Sequence, residues 1–82
     1  MIIKKALEHF GDKNQKIKCI EELGELVQAL SKNVNTGFYI AEVKEEIADV
    51  QIMLDQMKLL FPDWITDYSF KLSRLTETIN KV

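Results

Sequence analysis

From Asp12 to Phe61 the chain carries no proline and only two glycines, and its apolar residues recur at steps of three and four. A strand needs a period of two, whereas an apolar stripe at this spacing lies on one side of a helix. The pattern therefore predicts an all-α protein. A first helix is expected over about residues 2–10, with Ile3, Ala6, Leu7 and Phe10 on one side and Gly11 closing its last turn. Asp12 can cap the second helix, with Gln15 three places on in a capping-box-like position, and the apolar seam Ile20, Leu23, Val27 and Leu30 runs to about Lys32. The turn formers in "NVNTG" should break it. Thr36 would cap a third helix reaching Phe61, with Ile40, Val43, Ile47, Val50, Leu54 and Met57 inward, and Pro62 prevents further extension. A fourth helix, about residues 65–81, carries Tyr68, Leu72, Leu75, Ile79 and Val82 at bundle spacing. Short connections make neighbours antiparallel, so the expectation is an antiparallel bundle of about four helices.

Eighty-two residues form one domain, 1–82, and a chain of that size builds a marginal core. With a single cysteine, Cys19, no internal disulfide can staple it, which agrees with a reducing, cytoplasmic setting. A second copy of the chain is the natural completion, as a homodimer or tetramer. Net charge is −2, with basic residues scattered rather than massed, which argues against a nucleic-acid polymer as partner. No segment has the roughly 20 apolar residues of a membrane span, nor a secretory apolar run near the N-terminus.

Two acidic stretches break the amphipathic pattern: "EELGEL" at 21–26 and "EEIADV" at 45–50. At about 100° per residue, Glu22 falls at the edge of the second helix's apolar seam with Glu25 a little farther round, and Glu21 points away. On the third helix Glu46 projects into the apolar sector itself, among Val43, Val50, Met53 and Met57, and Asp49 stands at its margin. Most acids on amphipathic helices face water, and Glu8, Glu42, Glu45, Asp55 and Glu77 are read that way. An unpaired carboxylate in Glu46's position costs several kcal/mol or takes up a proton. Two explanations answer this. A salt bridge to Lys18 or Lys71 is one. The other is a divalent cation held by Glu22, Glu25, Glu46 and Asp49, each pair sharing a face at i, i+3. All-carboxylate ligation suits a hard ion, Mg²⁺ or Mn²⁺, rather than zinc.

"EELGE" (Glu21 to Glu25) followed across twenty residues by "EIAD" (Glu46 to Asp49) resembles the all-α nucleoside triphosphate pyrophosphohydrolases of the MazG type. The likeness runs from about Asp12 to Leu75: Gln15 seven residues before Glu22, "DVQIMLDQM" after the second acid pair, and "FKLSRL" near the end follow the pattern of short phage and bacterial members. It implies a Mg²⁺-dependent enzyme, dimeric or a dimer of dimers, that cleaves (deoxy)nucleoside triphosphates to monophosphate and pyrophosphate in nucleotide-pool house-cleaning. Carried over by position, Glu22, Glu25, Glu46 and Asp49 would hold the metal, and Glu21 would support the site or orient the attacking water. Lys71 and Arg74 of "FKLSRL" would contact the far phosphates. Lys18 would act as a counter-charge beside Glu22, and Gln15, on the same stripe, would touch substrate or serve as a cap. Relatives that hydrolyse phosphoribosyl-ATP share the first motif but carry an aromatic–histidine pair where this chain has "VQIML". Two alternatives remain at this point: that related hydrolysis, or a non-catalytic helical oligomerisation module.

Overall fold

A computed structural model describes residues 1–81 and shows four α-helices with no strand among them. They are α1 (Ile2–Phe10), α2 (Asp12–Thr36), α3 (Ile40–Leu60) and α4 (Trp64–Asn80). Val82, read as the end of the fourth apolar stripe, lies outside the described residues. No described helix is long and apolar enough to cross a membrane.

Gly11 both ends α1 and precedes α2: its φ of 89° is open to glycine, and its N–H bonds the Leu7 carbonyl. Neither Asp12 nor Gln15 caps α2, whose N-cap position is Gly11 itself. Nor does α2 stop at Lys32. It continues through the two asparagines to Thr36, where Gly37 in the left-handed region donates its N–H to the Asn33 carbonyl. Thr36 is therefore the end of α2 rather than the cap of α3. Its hydroxyl donates to the Lys32 carbonyl and accepts from the Phe38 N–H. The position before α3 belongs to Tyr39, also left-handed at φ 67°, a conformation that costs a non-glycine residue about 1–2 kcal/mol.

α2 and α3 form the main packing unit, with α1 laid across both. Their antiparallel register can be read from one buried bond: the Gln15 side-chain N–H donates to the Gln56 side-chain oxygen at 2.7 Å. Stepping ten residues forward on α2 and ten back on α3 leads from that pair to Glu25 and Glu46, about 15 Å along the axis. The interior line of α2 is Gln15, Cys19, Glu22, Leu26 and Ala29; that of α3 is Val50, Met53 and Gln56. This corrects the expected seams. Ile20, Leu23, Val27 and Leu30 of α2 are exposed, as are Ile40, Ile47 and Leu54 of α3. By rotation, the exposed α2 stripe sits about 100° round from its buried line.

α4 buries none of its residues, and its stripe Tyr68, Leu72, Leu75 and Ile79 faces outward. So the single chain is a three-helix unit plus a detached fourth helix. It exposes 6687 Å², against roughly 5,000 Å² for a compact protein of 9.5 kDa. Its radius of gyration, 15.7 Å, exceeds the roughly 12 Å of a compact chain this long.

Candidate metal and nucleotide site

The α2–α3 register brings three carboxylates together. Glu22, Glu25 and Glu46 each present an oxygen within 4.8 Å of the others. Glu22 is 6% exposed, and Glu46 is half-buried. One oxygen of each, Oε2, is buried without a hydrogen-bond partner. Glu22's other oxygen accepts from Lys18 Nζ at 3.1 Å, and Lys18 lies 3.9 Å from Glu21 Oε2. Lys18 is thus the counter-charge foreseen, with its proton held more tightly by the bond to Glu22 and by the neighbouring Glu21 and Glu25 charges. It reaches one side of the cluster only. Desolvation raises the pKa of Glu46, and Glu25 beside it, then Asp49 and Glu22, push it the same way. Three like-charged groups converge with two orphaned oxygens, and a single lysine does not neutralise them. A hard divalent cation fits that donor set, which offers oxygen only.

Asp49, the fourth expected ligand, is exposed and stands outside the converging three, though its charge is felt at Glu46. Glu21 is exposed on the same flank of α2. Gln15 is neither a cap nor a surface group; it is buried against Gln56, which is 1% exposed. Lys71 and Arg74 are on α4, which does not pack on the α2–α3 unit, so within one chain they are not brought to the cluster. Arg74 instead rests over the Phe70 ring at 6.0 Å.

Two clefts flank the cluster along α2. The larger, about 420 Å³, lies where α1 crosses α2 and α3; Phe10, Ile52 and Met53 form apolar walls, and Gln15, Gln56, Lys18 and Glu21 line it too. The smaller, about 160 Å³, is bounded by Glu25 and Glu46 together with Lys32, Tyr39 and Glu42. Lys32 Nζ sits 5.5 Å from the Tyr39 ring centre and makes no ion pair among the described residues. Lys32 and Gln56 were missed in the sequence. Lys32 follows Glu25 by seven residues, two helical turns on the same flank, and that spacing was the signal available.

Comparison with protein-family models, curated proteins and solved structures returns no match.

Proposed function

We propose that this chain is a Mg²⁺-dependent nucleoside triphosphate pyrophosphohydrolase of the MazG type, acting as a homo-oligomer. The observation that carries the reading is the convergence of Glu22, Glu25 and Glu46, with Oε2 of Glu22 and of Glu46 buried and without a hydrogen-bond partner among the described residues. A carboxylate kept charged in such a place needs a cation, and the motif order around it is the one the resemblance rests on. Glu22, Glu25 and Glu46 would hold Mg²⁺, and the resemblance adds Asp49 to them. Bound there, the ion supplies charge neutralisation for the phosphates and a more acidic water. Glu21, exposed on α2, would accept that water's proton. In the net reaction, water oxygen bonds the α-phosphorus, the bond from it to the bridging oxygen breaks, and pyrophosphate leaves.

Oligomerisation is supported by the surplus surface. The excess of about 1,600 Å² over a compact monomer is as large as a standard interface in total. Exposed apolar residues stand on the α2 stripe, on α3 and on α4, which as an isolated helix of 17 residues would be marginal in water.

The test is turnover. Purified protein with Mg²⁺ is offered a panel of ribo- and deoxyribonucleoside triphosphates while pyrophosphate release is followed. Release from at least one of them, abolished by EDTA and by Glu46→Gln, is expected. No release from any, with metal still bound, would leave the chain a metal-stabilised helical module.

A further inference from the structure

Resting on that reading of the carboxylate cluster, we infer that the larger cleft takes the nucleoside half of the substrate and that Lys32, in the smaller cleft, takes the terminal phosphates. The two clefts lie at opposite ends of the cluster on one flank of α2. In order along α2 stand Gln15, Lys18, Glu22, Glu25 and Lys32, with Lys18, Glu25 and Lys32 on the flank and Gln15 and Glu22 on the interior line beside it, so a nucleotide lying along that flank would pass over the carboxylates at its α-phosphate. The chemistry of the ends differs in the sense required. The larger cleft has apolar walls and a buried amide pair, Gln15 and Gln56, on its lining. A base has two apolar faces and an edge of donors and acceptors; one Gln15 N–H is committed to Gln56, which leaves its other N–H and its carbonyl oxygen for that edge. Its volume falls within the range of small-molecule sites. The smaller cleft is too small for a nucleoside and holds the Lys32 ammonium group, which makes no ion pair among the described residues. Glu42 shares it, so an anion enters there only with its cation, as Mg²⁺-pyrophosphate does. The exposed apolar stripe of α2 faces away from this flank, so a second copy seated on the stripe leaves both clefts open.

The experiment separates the two ends with two ligands and two variants. Unphosphorylated nucleosides, added without metal, are followed by saturation-transfer NMR; Mg²⁺-pyrophosphate binding is followed by calorimetry. Ile52→Trp fills the larger cleft from a half-exposed position, with Ile52→Phe as a milder companion should the tryptophan unfold the chain. These variants should weaken nucleoside binding at least tenfold and leave Mg²⁺-pyrophosphate unchanged. Lys32→Ala should do the opposite. Inverted effects, or nucleoside binding indifferent to both Ile52 variants, would overturn the placement even if triphosphate turnover is intact. Nucleoside binding that is lost in the Ile52 variants, in a protein without turnover, would support the cleft and sink the hydrolase.

Discussion

The buried amide pair between Gln15 and Gln56 allows a sharp test of how α2 and α3 are held in register. Each residue is replaced by methionine, which has nearly the same length and removes the amide. In Gln15→Met, the Gln56 oxygen loses a donor 2.7 Å away and is left unpaired in a site 1% exposed. Stranding a buried polar group in this way costs about 1–3 kcal/mol. For a chain of this size, each kcal/mol lowers Tm by roughly 4–8 °C. Gln56→Met strands the Gln15 amide, 7% exposed, and should cost a similar amount. The double variant strands nothing and adds two flexible apolar side chains beside Met53, so it should recover most of the loss. The assay is urea unfolding of the metal-free protein, followed by helical circular dichroism at one fixed protein concentration, since an oligomer's stability depends on it. The coupling between the two changes should reach about 1 kcal/mol or more. Costs that simply add, or singles that each lose under about 0.5 kcal/mol, would mean the amides are solvated and do not set the register.

Three further outcomes are expected. Glu46 has a folded-state pKa above its unfolded one, so between those values the folded chain binds the extra proton. Metal-free stability should therefore fall as pH rises through that window; Glu46→Gln should remove the slope, raise Tm at neutral pH and abolish the gain from Mg²⁺, which at a hundred times Kd amounts to about 2.7 kcal/mol. A wild-type slope of opposite sign in thermal melts would refute this. Val27→Asp alters a residue 63% exposed in the single chain, where a surface change should stay within about 0.5 kcal/mol; light scattering should nevertheless show a smaller assembly, and an unchanged mass would remove the α2 stripe from the interface. Gly24 lies mid-helix with nothing within 4 Å of an added Cβ, so Gly24→Ala should add about 0.5–1 kcal/mol to chemical stability. A loss there would mean a second copy approaches α2 at that point.

Much of the local structure is legible along the chain, because helix signals act over a few residues. The first helix and the Gly11 break follow from glycine's freedom at positive φ and from four apolar positions in one turn pattern. The end of α2 was misjudged because asparagine is only a weak breaker. The left-handed stop was Gly37, five residues past the expected end, and the cap was misassigned for the same reason. The site was legible in part. Glu22, Glu25 and Glu46 converge as their spacing suggested, since i, i+3 pairs on two antiparallel helices face each other once the register allows it. Gln15 was read as a substrate contact or a cap; it caps nothing and lines the larger cleft, bonded to Gln56, and nothing nearby in the chain announces that partner forty-one residues on.

The amino-acid sequence alone settled that the chain is helical, where its helices begin within a few residues, and which acids stand on common faces. It could not settle which stripe is interior. Hydrophobicity marks residues that avoid water without saying what covers them, and α2 has apolar residues over more of its circumference than one neighbour can bury. Packing α3 against the Gln15–Cys19–Glu22 line, and not against Leu23 and Leu30, depends on contacts between residues twenty to forty positions apart. That choice buries two carboxylate oxygens without partners and leaves the conventional apolar seam facing out. The first consequence makes the cluster a candidate metal site, and the second leaves a surface that another copy could cover.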